Sequence, residues 1–157
     1  MPRLIPPTKA SPSPQPEIPT DAREWANVLA EVPLFAHLNR RQLRKVAGEC
    51  RIRRMHEGAE IVRTGEPGNV LFVVLDGEVS VRRRGVPAIP LGIGSFFGEL
   101  ALLADAPRTA TVVAVRPVVC LTISRSRFHK LLREEPAIAI AVIGELAGRL
   151  QAAYAAA

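Results

Sequence analysis

Cysteine is nearly absent: Cys50 and Cys120 are the only two in 157 residues, too few for a disulfide framework, and neither has a partner at metal-ligand spacing. Both sit among apolar neighbours and read as buried thiols in a reducing, cytoplasmic setting. Histidine is also scarce. His37, His56 and His129 lie 19 and 73 residues apart, which gives no support to a shared metal site, and no cofactor is expected. Aromatic residues make up 4% of the chain, too few to interleave a basic surface with stacking platforms for single-stranded nucleic acid. Long apolar runs are missing as well. The longest, residues 137–144, falls far short of the roughly 20 residues of a membrane span, so none is expected. The first ten residues carry three prolines and no apolar stretch that would serve as a secretory signal. No nucleophile with its base and no internal repeat can be discerned, so catalysis is not expected.

What is present is organised. A net charge of +6 raises the question of nucleic acid, but the basic residues are scattered over separate segments: Arg40, Arg41, Arg44 and Lys45, then Arg51, Arg53 and Arg54, then Arg82, Arg83 and Arg84. Seven of the fourteen prolines fall within residues 1–20, a composition that predicts a disordered or polyproline-like arm, passive or used for docking. Residues 21–157 predict one domain. A helical lead-in over 21–48 starts at Asp21, which has capping-box spacing to Glu24, and continues through a second box, Asn39 with Gln42. Over 50–123 the helical period gives way to short apolar runs at 51–55, 60–63, 70–75, 79–81, 88–91, 109–115 and 118–123, about seven strands of a jelly-roll or β-roll. Asp76-Gly77, between the third and fourth runs, is the strongest hairpin signal. Helices return over 124–154, capped by Ser124 and divided at Pro136. In the last of them Ile140, Ile143, Ala147, Leu150 and Tyr154 form a narrow stripe, expected to pack on the roll.

The segment 96–111 carries the chemistry. Phe96 and Phe97 close an apolar strand, Gly98 lets backbone approach a ligand, and the residues from Glu99 onward have good helix propensity, so amide N–H groups at a helix start would face an anion. Nine residues after Glu99, past the turn residues Asp105 and Pro107, comes Arg108, whose planar fork suits two oxygens of one phosphate. Glu99 alone would be an ordinary first-turn acid, and Arg108 alone a surface arginine. Together they suit a ligand that carries both a hydroxyl and a phosphate.

Gly-Glu-Leu-Ala-Leu-Leu followed after four residues by Arg-Thr-Ala-Thr resembles the phosphate-binding cassette of the cyclic nucleotide-binding domain family, and Gly65, Gly68 and Gly77 fall where that family places hairpin glycines. The resemblance spans residues 30–154. It implies a mainly β fold, a β-roll with N-terminal helices and C-terminal hinge and lid helices. It also implies that the cyclic phosphate meets Gly98, Leu100, Ala101, Arg108, Thr109 and Ala110, the ribose meets Glu99, and the base meets Val81, Leu91, Thr109 and Tyr154. A hydroxyl at Thr109 permits cyclic GMP without requiring it.

The expected function is therefore a non-catalytic cytoplasmic sensor of cyclic AMP, or of cyclic GMP, that signals to an unknown protein effector through its C-terminal helices. The resemblance leaves room for a weak homodimer. A DNA-binding domain is not expected, since only three residues follow Tyr154. The alternative is an interaction scaffold with a relic cassette and a docking arm.

Overall fold

The computed structural model describes residues 17–156. The arm expected over 1–20 thus lies outside the described residues except for its last four. Of these, Ile18 packs against the core and the Pro19 carbonyl accepts a 2.6 Å hydrogen bond from Trp25 Nε1. Contact with the domain therefore begins before the first helix.

That helix, α1 (Ala22–Leu29), is capped by Asp21, whose carboxylate accepts from the Arg23 amide. The box expected with Glu24 is replaced by this shorter reach, one of the two that an N-cap side chain has available. A 3-10 turn at Pro33–Phe35 leads to α2 (Arg40–Gly48), where the box does form: Asn39 Oδ1 accepts from Gln42 N, and Gln42 Oε1 accepts from Asn39 N, both at 2.9 Å.

Eight strands follow: β1 (Arg51–Met55), β2 (Glu60–Val62), β3 (Val70–Asp76), β4 (Val79–Arg82), β5 (Ile89–Leu91), β6 (Phe96–Phe97), β7 (Thr111–Ala114) and β8 (Val118–Ser124). They make two antiparallel four-stranded sheets, in the orders β1-β8-β3-β6 and β2-β7-β4-β5. The near-continuous apolar runs of β3 and β8 arise because both of their faces are buried. Successive side chains of a strand alternate between faces. Leu71, Val73 and Leu75 accordingly join Leu121 and Ile123 under a helical layer with Leu29, Phe35, Val46, Phe128 and Ile138. Phe72 and Val74 join Val79, Val112, Ala114 and Cys120 between the sheets, where the Phe72 ring stacks on Phe97 with centroids 4.8 Å apart.

Asp76-Gly77 does not close a hairpin. Both edges of β3 are occupied, by β8 and β6, and the chain leaves at Gly77 to start β4 in the other sheet. Gly77 has φ of 90°, and a Cβ there would stand 2.3 Å from the Pro117 carbonyl oxygen. The signal marks a corner that only glycine fits.

Two helices end the chain, α3 (Arg125–Glu134), capped by Ser124, and α4 (Pro136–Ala155). The stripe expected to pack on the roll faces outward instead: Ile140, Ile143, Leu150 and Tyr154 are all exposed. The helix docks through a neighbouring row, Ile138, Val142 and Leu146 at intervals of four. By length and composition α4 is also apolar enough to cross a membrane, so the expected absence of a span is not confirmed. Its two charged residues past Pro136, Glu145 and Arg149, both pair with groups of the domain.

Both cysteines are buried and free. Burial first of all pushes each thiol up to about 12, with Glu49 adding to the effect at Cys50 and nearby arginines opposing it at both. Neither thiol should react with Ellman's reagent at pH 8 in the native protein, and both should react in denaturant. Because the folded state keeps these protons above the pH at which an unfolded thiol loses them, their contribution is complete below about pH 9. It fades as the pH rises through 9 towards 12, and an alkaline denaturation series should show stability falling over that interval.

Candidate ligand-binding site

Gly98 ends β6 in the left-handed region, with φ of 80° and ψ of 19°. A side chain there would be strained, and its Cβ would lie 2.4 Å from Arg108 Nη1 and 2.7 Å from the Val70 carbonyl oxygen. The expected helix after Gly98 is only a single 3-10 turn, Glu99–Leu102. Ala101 and Leu102 bury themselves against β3, and the extended segment leading to Pro107 cuts the helix short. One turn generates little macrodipole, so attraction for an anion here must come from individual N–H groups and from Arg108.

Arg108 is held by its own main chain. Its amide donates to the Glu66 carbonyl at 2.9 Å, and its carbonyl accepts from the Gly65 amide at 2.8 Å. The side chain lies flat over Gly68, where a Cβ would come within 2.0 Å of Nε, and Nη2 donates to the Val70 carbonyl at 2.9 Å. Among the described residues no carboxylate comes within 4.0 Å of this guanidinium. Burial, and then the positive charge of Arg125, hold its pKa below the usual arginine value. The result is a fixed, half-buried cation with spare donors and no counter-charge, an arrangement that an anionic group would stabilise.

Arg108 borders several cavities. One of about 340 Å³ is lined by Gly98, Glu99, Leu100, Ala101, Arg108 and Thr109 among others. A second, about 120 Å³, is lined by Val62, Val81, Arg83, Phe97, Gly98, Arg108, Thr109, Ala110 and Val112. The fold thus gathers Gly98, Glu99, Leu100, Ala101, Arg108, Thr109, Ala110 and Val81 around one point. Leu91 is half-buried, packs with the core between the sheets and lines neither cavity, and Tyr154 is 74% exposed on α4 and lines neither. A larger cavity, about 680 Å³ beside Ile18, Asp76 and Arg116, contains none of these residues.

Two arginines not singled out in the sequence complete the site. Arg125, the first residue of α3, donates from Nε to the Ala101 carbonyl and from Nη2 to the Gly68 carbonyl, both at 2.7 Å, and reaches the Ala104 carbonyl at 3.2 Å. Four residues on, His129 Nε2 lies 2.7 Å from the Leu102 carbonyl. One face of α3 therefore grips the turn after Gly98. Arg149, on α4, donates from Nη1 to Glu99 Oε1 at 2.9 Å and from Nε to Glu145 at 3.0 Å, while Glu145 also faces His37 at 3.5 Å. The hydrogen bonds to Glu99 and then Glu145 raise the Arg149 pKa above its ordinary value. Neither contact with the turn is marked by a local motif: Arg125 reaches carbonyls 21 to 57 residues away, and Arg149 reaches Glu99 50 residues away, with only Glu145 a helical neighbour.

The paired sheets, the glycine-led turn and the sequestered arginine define a cyclic nucleotide-binding β-roll. The profile of the cyclic nucleotide-binding domain family matches residues 52–135, more than half of the chain, and the protein belongs to that family. A cyclic nucleotide-gated potassium channel of Mesorhizobium japonicum is 40% identical over 117 residues, covering 74% of this chain and 32% of its own. A cAMP-dependent protein kinase regulatory subunit of Hypocrea atroviridis is 33% identical over 110 residues, covering 70% of this chain and 24% of its own. The chain thus spans about a third or less of the length of these curated relatives. Among solved structures, the N-terminal domain of a transcriptional regulator from Streptomyces coelicolor superposes with a TM-score of 0.74 at 30% identity, covering 82% of this chain and 94% of that one. The regulatory domain of Toxoplasma gondii PKA, solved with cAMP, gives 0.61 at 30% identity, covering 71% and 45%.

Proposed function

We propose that this domain is a non-catalytic cytoplasmic sensor that binds cyclic AMP, or cyclic GMP, and passes the signal to a protein effector through α3 and α4. The observation that carries the proposal is the Arg108 guanidinium, clamped over Gly68 and Gly98 without a carboxylate partner among the described residues. Its fork takes the exocyclic oxygens of a cyclic phosphate, and N–H groups of the turn beginning at Gly98 add further donors. Glu99 accepts from the ribose, Val81 supplies an apolar wall, and the Thr109 hydroxyl tolerates guanine. A link to the effector is supported by the two arginines. Capture of a phosphate at Arg108 pulls on the turn that Arg125 and His129 tie to α3, and the ribose end acts on α4. The ligand moves these helices only by binding one arrangement better than the other. The names of the channel and kinase relatives support a regulatory role of this kind.

Thermal unfolding with cyclic AMP, cyclic GMP and linear 5′-AMP tests the proposal. Either cyclic nucleotide at a hundredfold excess over Kd should stabilise the fold by about 2.7 kcal/mol, and 5′-AMP, with its more highly charged open phosphate, should not. Failure of both cyclic nucleotides to shift Tm at millimolar concentration would remove the basis for a sensor.

A further inference from the structure

The connection from β4 to β5 is the most one-sided stretch of the chain in charge. Between Glu78 and Glu99 the sequence carries three arginines, Arg82, Arg83 and Arg84, and no acid. Among the described residues none of the three enters an ion pair. All nine residues from 82 to 90 are exposed. The pairing of β4 with β5 ends at Val81 with Ile89, so residues 83–88 form a free loop that turns at Gly85, where φ is 76°. Its outgoing limb is cationic. The returning limb is apolar: Val86 and Ile89 are 55% and 51% exposed, and Pro87, Ala88 and Pro90 lie beside them in sequence.

A partner must therefore neutralise three guanidinium groups and cover two branched apolar side chains within one short loop. Strand addition to β5, an edge of its sheet, is opposed by Pro90, which has no N–H to donate and occupies the middle of a three-residue strand. A nucleic acid would satisfy the arginines and leave Val86 and Ile89 uncovered, and the loop has no aromatic ring to stack on a base. An anionic bilayer surface meets both demands: arginine heads stay at the phosphates with their stems along the acyl boundary, while the apolar limb enters it.

We propose that residues 82–90 form a docking finger that seats this domain on an anionic lipid surface. Arg83 also lines the smaller cavity beside Arg108, so the seated surface adjoins the ligand site.

Co-sedimentation of the full chain with vesicles of phosphatidylcholine, alone or with about a third of the lipid as phosphatidylserine, tests the finger. Each arginine at an anionic surface favours binding roughly fivefold, so wild type should prefer the mixed vesicles at least tenfold. Arg82→Gln with Arg84→Gln should lose roughly twentyfold on them. Arg83 is kept because it borders the ligand cavity. Arg40→Gln with Arg44→Gln removes the same charge from exposed positions at and within α2, and should lose less than about threefold. Val86→Trp reports insertion directly: its emission should move to the blue on mixed vesicles, while that of Trp25 in wild type stays in place. Equal losses in the two arginine pairs would mean that net charge alone attracts the protein, and would overturn the finger. So would Val86→Trp emission that mixed vesicles leave unchanged. Binding of heparin through Arg82 and Arg84, without binding of vesicles, would assign the loop to a soluble polyanion and overturn it too. None of these outcomes bears on Arg108, so the sensor proposal stands or falls by its own test.

Discussion

Arg108→Ala is expected to weaken cyclic AMP binding by roughly 2 to 5 kcal/mol, at least thirtyfold in Kd by calorimetry. The loss is large because the guanidinium is already oriented before ligand arrives. Its backbone is tied at both polar atoms to the loop between β2 and β3, and its side chain is pressed against two glycines, so little order has to be created on binding. Fold stability should change far less. The variant gives up one hydrogen bond to the Val70 carbonyl but also relieves an unpaired, half-buried cation near Arg125. Wild-type affinity in the variant would show that the anion site lies elsewhere.

The second large effect concerns stability. Gly77→Ala should lower Tm by roughly 5 to 10 °C, as measured by calorimetric or circular-dichroism melting. A non-glycine residue held at positive φ costs about 1 to 3 kcal/mol, and in a domain of this size each kcal/mol moves Tm by about 2 to 4 °C. Here the conformational cost is joined by a clash with backbone, the Pro117 carbonyl, which has less freedom to give way than a side chain. The corner also connects the two sheets, so a shift there disturbs the pairing of β4 with β7. A variant as stable as wild type would mean that the corner relaxes freely.

What was legible in the sequence followed physical range. The strands were readable because β3 and β8 are buried on both faces and so carry unbroken apolar runs, and α2 because its capping box spans only Asn39 to Gln42. The cassette was readable for a similar reason: Gly98, Glu99 and Arg108 lie within eleven consecutive residues. The strand runs already pointed to a jelly-roll or β-roll, and the resemblance to a known family added the ligand. Sheet membership was not legible. Asp76-Gly77 meets every local requirement of a hairpin, and only the occupation of both β3 edges by distant strands forbids one. The buried row of α4 was also missed, because Ile140, Ile143 and Leu150 make a better-spaced stripe than Ile138, Val142 and Leu146, and spacing alone does not say which stripe meets a neighbour. The roles of Arg125 and Arg149 at the turn were illegible for the same cause, since packing rather than adjacency brings them to Ala101, Gly68 and Glu99.

Trp25 is the chain's one tryptophan, and Tyr154 is its one tyrosine. The indole is partly buried on α1 and bonded to the Pro19 carbonyl, while the phenol stands in solvent near the end of α4. Ultraviolet emission from this protein therefore comes from two known points, one on the lead-in and one on the terminal helix, with no aromatic fluorophore of either kind in the cassette between them. Excitation transfer from phenol to indole depends on their separation, so the unlabelled chain carries its own optical ruler for the attitude of α4.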